Sequence, residues 1–521
     1  QNPKTKAQIE TLLRNGKNKE LRERLCCRMS FGTAGLRSAM GAGFSCINDL
    51  TIIQTSQSRR GKEWIYLTRL LWELVSVWAD CLTIAVLDCN PDAWADQGNA
   101  GVYSSVGSYC SLQPYAVQKL GAVTGVMVTA SHNRKEDNGF KVYWENGAQI
   151  TSPHDKEILK CIEQHAEPWD ESWQENLPDS SPLARDPLEE ITRSYMEELQ
   201  SLCFHRHINM KTPLKFVHSS FHGVGHDYVQ GAFRVFGFSP PIPVPEQKDP
   251  DPDFSTVKCP NPEEGECVLV IMLAEKEGAR VVVATDPDAD RLAVAELQDM
   301  YGVSVWLGPL FQQVLFYCPD TDLRTRGMSC PMAACAPSFE TLPGFKWIGN
   351  RVKSLLDDGK TVVFAFEESI GFMCGTSVPD KDGVSAAVVV AEMAAFLDSN
   401  NVTMEQQLES LYETYGYHIS KTSYFLCYDP ATIRRIFERL RNYNGPKRYP
   451  EFCGPYGILH VRDVTTGYDS SQLNKKSVLP VSKSSQMVTF SFQNGCVATL
   501  RTSGTEPKIK YYAEMCGTPG Q

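Results

Sequence analysis

A chain of 521 residues, 42% hydrophobic and 22% charged, has the composition of a folded globular protein, and its length suits roughly three or four cores of about 150 residues each. Its 51 basic and 62 acidic residues give a net charge of −11, which excludes a general nucleic-acid binder but leaves room for one cationic cleft. The 18 cysteines follow neither zinc-site nor disulfide-scaffold spacing, so reduced thiols and a cytosolic protein are expected.

From the N-terminus, residues 1–25 form a charged amphipathic stretch without the apolar core of a signal peptide. FGTAGLRSAMGAGF (31–44) has neither dinucleotide-fold nor P-loop spacing, although Gly32, Gly35 and Arg37 would let backbone and guanidinium approach a phosphate. The most apolar long window, Trp64 to Leu87, carries Arg69, Glu73 and Asp80, so it is expected as a packed helix and no membrane span is expected.

GVMVTA (125–130) reads as a strand ending in Ser131–His132–Asn133. Ser131 is either a nucleophile or the polar cap of that strand. No G-x-S-x-G elbow surrounds it, so a hydrolase triad is not expected, and His132 as its neighbour is not diagnostic. LKFVHSS (214–220), ARVVVATD (279–286) and TVVFAFEES (361–369) are further strands running into polar loops. Helical periodicity marks 152–166, 187–202 and 383–399, and the alternation of the two types predicts an α/β architecture with mixed or parallel sheets. HGVG (222–225) reads as a structural glycine turn, and the proline- and acid-rich stretch 239–266 as a long extended excursion. The sequon at Asn401–Thr403 is expected to be unused in a cytosolic protein.

The sharpest chemical signal is ATDPDADRLAVAEL (284–297). Asp286, Asp288 and Asp290 alternate directly after an apolar strand, and three hard carboxylates so close together suit Mg²⁺. An EF-hand fails, because Arg291 stands where its glycine should be and Leu297 where its last glutamate should be. In FAFEESIGF (364–372), adjacent glutamates after a strand could accept hydrogen bonds from sugar hydroxyls, and a KDG turn follows at 381–383. The tail, 487–515, alternates around an Asn-Gly turn at 494–495 as a hairpin, a loop and another strand. That loop, RTSGTEPK (501–508), gathers Arg501, Ser503, Thr505 and Lys508 around Gly504 as a phosphate clamp would.

Together TASHN, DPDAD, EES and RTSGTEPK resemble, in order, the phosphoserine, metal, sugar and phosphate loops of the α-D-phosphohexomutase superfamily, and the surrounding residues are most similar to its phosphoglucomutase-2 group. The resemblance implies four domains around a central cleft: three related α/β domains and a smaller α+β C-terminal domain. They are expected at 1–190, 191–305, 306–422 and 423–521. It implies that Ser131 carries the phosphoryl group and, through it, ligates Mg²⁺ together with Asp286, Asp288 and Asp290. Arg291, Gly344, Glu367, Ser369 and Lys381 would bind substrate, with Arg501, Ser503, Thr505 and Lys510 on the phosphate that does not react. Arg37 would line the cleft, and His132 or Lys141 would serve in proton transfer. The implied partners are sugar phosphates and 1,3-bisphosphoglycerate, the implied assembly a monomer.

The activity implied is phosphoryl transfer from 1,3-bisphosphoglycerate through the serine to glucose 1-phosphate or glucose 6-phosphate. The alternative is a mutase interconverting sugar 1-phosphates with 6- or 5-phosphates. Residues 56–112 and 301–340 depart from the family pattern, Pro343–Gly344 replaces a Thr-Gly of many relatives, and the chain ends soon after the phosphate loop. These departures predict lost core strands in the first and third domains, and with them a second alternative, a catalytically weakened sugar-phosphate-binding paralogue.

Overall fold

The computed structural model describes residues 2–32, 35–56, 83–88, 101–106, 108–164, 166–168, 184–264, 267–300, 303–307, 339–427, 429–482, 485–503 and 508–517. The chain divides into two compact units, one drawn from Gln1–Gln312 and Pro343–Met404, the other from Gln313–Leu342 and Glu405–Gln521.

The first unit holds two sheets and a hairpin. Strands β1 (Leu36–Ala39), β2 (Thr83–Asp88), β3 (Gly101–Val106), β4 (Thr124–Val128), β5 (Asp137–Trp144) and β6 (Ala184–Arg185) lie in the order β1-β5-β4-β2-β3-β6. All pairs are antiparallel except β3–β6. β4 is buried along its whole length, which is why it reads as an unbroken apolar run. Val126, Val128, Phe140 and Val142 pack with Leu36 and Ile52 in the core of this layer. β5 is buried except at its two end residues, so the Lys141 in its middle has to find its counter-charges inside the protein.

The second sheet is mixed. β7 (Phe216–Ser219), β8 (Ile242–Pro243), β9 (Val281–Thr285), β10 (Leu292–Met300) and β11 (Val303–Leu307) lie in the order β11-β10-β9-β7-β8. Its centre is parallel, with β7 beside both β8 and β9, and β10 and β11 continue antiparallel. The helix Val268–Glu277 covers Val217 and Val282 through Val270 and Ala274. The third layer is the hairpin β12 (Phe364–Glu367) and β13 (Gly371–Cys374), with the helices Phe345–Asp357 and Gly383–Ser399. The Asp382 carboxylate caps the latter helix by accepting from the backbone N–H of Val384 and Ser385.

The second unit is one sheet of β14 (His418–Leu426), β15 (Phe452–Cys453), β16 (Tyr456–Asp463), β17 (Tyr468–Asp469), β18 (Met487–Phe492), β19 (Val497–Thr502) and β20 (Lys508–Cys516), in the order β14-β20-β19-β18-β16-β15 with β17 beside β16. The helix Pro430–Arg441 packs Phe437 against Val461, Val488, Phe490 and Ile509.

The mixed α/β layers, the four strand-to-loop junctions, the three helices and the C-terminal hairpin agree with the sequence reading. The expected helix Trp64–Leu87 is corrected over its described part. Thr83–Asp88 is a strand, because its β-branched run is paired on both sides by β3 and β4; residues 64–82 lie outside the described residues. The departing windows do supply strands: β2 and β3 come from 56–112 and β11 from 301–340. The excursion 239–266 is mostly turns, but its Ile242–Pro243 adds an edge strand, where a missing N–H is tolerated. Thirteen described cysteines are free thiols, and no single described helix is long and apolar enough to cross a membrane.

Candidate active site

β4 and β9 deliver the serine and the aspartates to one place. After β4 the chain turns at Ser131, whose backbone sits in the left-handed region with φ 58°. Such a backbone is costly for a non-glycine residue and has to be held by its surroundings. Here the hold is the Thr129 hydroxyl, which accepts from the Ser131 N–H at 2.8 Å and lies 3.3 Å from Asp288 Oδ2 as its donor. The buried Ser131 hydroxyl donates to Asp286 Oδ2 at 2.6 Å, and His132 Nδ1 stands 3.2 Å from Ser131 Oγ. Since the one serine proton faces Asp286, His132 Nδ1 meets the hydroxyl as the donor.

The DPDAD loop is built by its neighbours. Ala289 turns at φ 54°, with its N–H on the Asp286 carbonyl. The HGVG turn locks it from one side: Val224 N–H bonds the Pro287 carbonyl, and a Cβ on Gly223 would run into the Pro287 backbone. Gly383 leaves room for the Ala289 and Arg291 carbonyls from the other side. Both turns are structural in the sense expected of HGVG, and both are close approaches that only glycine permits.

Three aspartates this close, all essentially without solvent, repel one another. Burial and the neighbouring Asp288 and Asp290 hold the Asp286 carboxyl well above the usual carboxylate range. Burial acts the same way on Asp290, but Lys141, Lys381 and Arg291 outweigh it and hold that group well below the range. Lys141 Nζ lies 2.9 Å from Asp288 Oδ2, 3.0 Å from Asp290 Oδ2 and 3.0 Å from Cys110 Sγ. Burial works against its charge, yet the two aspartates keep it protonated far above the ordinary lysine value. Lys381 Nζ lies 3.2 Å from Asp290 Oδ2, and Arg291 Nε 3.5 Å from Asp290 Oδ1.

Cys110, Asp288 and Asp290 form a group of potential metal ligands whose donor atoms lie within 4.8 Å of one another. The Lys141 ammonium bonds all three, so that position already holds a cation. Burial raises the Cys110 thiol far above its ordinary value, which also makes it a poor ligand. The oxygens that fit a hard divalent ion are elsewhere in the same cluster. Asp288 Oδ1 and Asp290 Oδ1 are buried and have no hydrogen-bond partner among the described residues, and Asp286 Oδ2 faces the serine. The expected donor set of Ser131, Asp286, Asp288 and Asp290 therefore fits such an ion.

The other expected residues divide by unit. Glu367 ends β12, and Ser369 lies in the turn that follows. A bridge between Arg291 and Gly371 and a bond from Leu292 N–H to the Ile370 carbonyl fasten this turn to the aspartate loop. Gly344, at φ 109°, precedes the helix Phe345–Asp357, whose Lys346 donates to the Gly32 carbonyl. Arg37 on β1 reaches Asn133 Oδ1 at 3.3 Å, and its Nε is buried without a partner among the described residues. Ser131, His132, Lys141, Arg37, the three aspartates, Arg291, Gly344, Glu367, Ser369 and Lys381 thus all belong to the first unit.

In the second unit Arg501 and Lys510 are directly opposed across β19 and β20, so both project from one sheet face. Arg501 donates to the Tyr512 hydroxyl at 2.7 Å, and Ser503 N–H bonds the Lys508 carbonyl. Thr505 lies outside the described residues.

Sequence reasoning missed Thr129, Cys110 and the pair Gln149–Asp380, in which Gln149 Nε2 donates to the carboxylate that also faces Lys381. Thr129 was visible in TASHN as a hydroxyl two residues before the serine. Cys110 and Gln149 had no local signal at all.

Profiles of the phosphoglucomutase/phosphomannomutase α/β/α domains match this chain in order: domain I at 110–169, domain II at 193–299 and domain III at 333–415. The chain is 64% identical to human glucose 1,6-bisphosphate synthase over 555 aligned positions, covering 100% of this chain and 89% of the relative. It is 50% identical to human phosphopentomutase over 545 positions, covering 98% and 89%. Among solved structures it resembles a Thermus thermophilus protein described as a phosphomannomutase, with a TM-score of 0.57, 18% identity and coverage of 95% and 96%. Parafusin, a phosphoglucomutase from Paramecium, matches with a TM-score of 0.57 at 17% identity, covering 94% and 91%. With the serine loop, the aspartate loop and the Glu367–Ser369 turn assembled in one unit, and relatives of this identity along its whole length, the chain belongs to the phosphoglucomutase/phosphomannomutase family.

Proposed function

We propose that this chain makes glucose 1,6-bisphosphate, taking a phosphoryl group from 1,3-bisphosphoglycerate onto Ser131 and passing it to glucose 1-phosphate or glucose 6-phosphate. The observation that carries the reading is the 64% identity to the human synthase along the entire chain, against 50% to human phosphopentomutase.

The residues of the first unit suit the work. In the first half-reaction the bond between phosphorus and the acyl oxygen of the donor breaks, a carboxylate leaves, and a bond forms to Ser131 Oγ. The serine proton passes to Asp286 Oδ2, already 2.6 Å away. In the second, a sugar hydroxyl takes the phosphoryl group from Ser131 and releases its proton, for which His132 beside the serine is the group in place. Lys141 is not suited to that step: its ammonium is buried on two carboxylates and serves as a fixed counter-cation. Mg²⁺ held by Asp286, Asp288, Asp290 and the loaded serine would supply positive charge against the phosphoryl oxygens. Arg291 and Lys381 line the same cluster, and Glu367 and Ser369 would offer hydrogen bonds to sugar hydroxyls.

Intact mass of the protein before and after 1,3-bisphosphoglycerate tests the reading. An adduct of one phosphate that is absent from Ser131→Ala, followed by accumulation of glucose 1,6-bisphosphate on adding glucose 1-phosphate, supports it. Rapid glucose 6-phosphate formation primed by a trace of bisphosphate, or ribose 5-phosphate from ribose 1-phosphate, would replace it with the mutase reading. No adduct from any donor would leave a binding paralogue.

A further inference from the structure

A small cleft open to solvent has Ser131 in its wall. Its lining comes from the serine loop (Thr129 to Asp137), from Gly223 and Pro287 of the aspartate-loop support, and from Phe254. No residue of the sugar-binding turn 367–371 and neither Arg291 nor Lys381 borders it.

The excursion 239–266, rich in proline and acid, has no part in the chemistry so far, yet its Phe254 lines this pocket. It is fastened to the serine loop at two points and to the HGVG turn at a third. Lys135 Nζ meets Asp253 Oδ1 at 3.0 Å, Cys259 Sγ lies 3.6 Å from the His132 carbonyl, and Asp251 N–H bonds the His222 carbonyl. Asp251 is in turn fixed by the backbone N–H of Asp253 and Ser255. Phe254, at φ 46° and buried, projects from this clamped turn into the pocket wall.

Two cations border the pocket, and they differ in state. The Lys135 charge is engaged by Asp253. The Asp137 carboxylate, also in the wall, accepts from Asn133 Nδ2. The exposed Arg134 guanidinium has no hydrogen-bond or ion-pair partner among the described residues, and it lies three residues from the nucleophile. A guanidinium on a small pocket that contains a phosphoryl-accepting serine is placed to bind a second anionic group of the molecule that loads the serine.

We infer that Arg134 binds the non-reacting phosphate of the phosphoryl donor, in a subsite separate from the sugar-binding turn. The inference rests on the proposal that the donor is an acyl phosphate carrying a second phosphate, 1,3-bisphosphoglycerate. Both donor and acceptor must reach the phosphorus from the face opposite Ser131 Oγ, but the rest of each molecule is free to lie on a different wall. The sugar faces Glu367 and Ser369, and the triose phosphate faces Arg134. Remote anionic binding of this kind spends energy from a part of the donor that does not react, which favours a bisphosphorylated donor over a simple acyl phosphate.

The test compares loading of the full chain by 1,3-bisphosphoglycerate and by acetyl phosphate, an acyl phosphate with no second anion, in wild type, Arg134→Gln and Arg134→Lys. The readout is the rate constant for appearance of the phosphate adduct at limiting donor. The expected result is a fall on the order of 10–100-fold for 1,3-bisphosphoglycerate in Arg134→Gln, a smaller fall in Arg134→Lys, and less than about a threefold change for acetyl phosphate. Equal falls for both donors would overturn the inference, because Arg134 would then act on the reacting phosphoryl group. Unchanged loading by 1,3-bisphosphoglycerate in Arg134→Gln would overturn it while leaving the proposed reaction intact. If wild type is loaded by glucose 1,6-bisphosphate but not by 1,3-bisphosphoglycerate, the proposed reaction itself fails and the inference falls with it.

Discussion

Lys141 and Asp288, 147 residues apart in sequence, form a buried ion pair of 2.9 Å that fastens β5 of the first sheet to the loop after β9 of the second. The same ammonium bonds Asp290 at 3.0 Å, so one cation holds two of the three aspartates in place behind the serine. Removing one partner of such a cluster leaves uncompensated buried charge, which costs far more than a surface pair would.

Lys141→Met is therefore expected to lose about 3–5 kcal/mol of unfolding free energy when divalent ions are chelated. Millimolar Mg²⁺ is expected to recover part of that loss, since a cation on the unpartnered aspartate oxygens relieves the same repulsion. Urea unfolding with and without chelator measures both effects. Equal midpoints for variant and wild type under chelation would show that the pair has no such role.

Thr129→Val keeps the shape of the side chain and deletes the hydroxyl that joins the Ser131 N–H to Asp288. The orphaned amide is expected to cost about 1–3 kcal/mol. Loading of Ser131 is expected to slow by about tenfold at saturating donor with little change in the half-saturating concentration, while Thr129→Ser stays near wild type. A loss in half-saturation alone would place Thr129 in donor binding rather than in holding the serine.

His218 on β7 is fully buried, and burial, with His226 nearby, lowers its imidazole from 6.5 to about 3. The folded protein thus keeps His218 neutral where the unfolded chain binds a proton. Its contribution to stability is complete above pH 6.5 and is lost as pH falls from there toward 3, at up to about 1.4 kcal/mol per pH unit. Urea midpoints from pH 7.5 to 5 are expected to fall for wild type and to fall less steeply for His218→Gln. Parallel curves would assign the acid sensitivity to other groups.

Gly223→Ala places a methyl group against the Pro287 backbone, where no flexible side chain can yield. The aspartate loop is expected to shift, with loss of more than about tenfold in loading rate and a higher Mg²⁺ requirement. The overpacking itself is expected to cost about 1–3 kcal/mol. Wild-type Mg²⁺ dependence in a folded Gly223→Ala protein would separate the HGVG turn from the metal loop.

Much of the chemistry was legible in local sequence because each functional loop directly follows a strand, and a strand ending in polar residues is a short-range pattern. TASHN follows β4, DPDAD follows β9 and EES follows β12, and each could be read from fewer than ten residues. The assignment of Thr83–Asp88 failed because helix and strand compete in a short apolar run, and only pairing with β3 and β4 decides between them.

By itself, then, the sequence determined the type of chemistry: a hydroxyl on a strand end, three oxygen donors after another, and a compact loop of hydroxyls and cations. Tertiary structure decided which groups act on which. It set the Ser131 hydroxyl on Asp286 rather than on a neighbouring base, and it engaged Lys141 as a counter-cation on Asp288 and Asp290. It also set Phe254 of the proline-rich excursion in the wall of the pocket beside Arg134. Those outcomes depend on contacts across more than a hundred residues and on the exclusion of water. Neither leaves a periodic or local signature, because both arise only when separate strands are packed together.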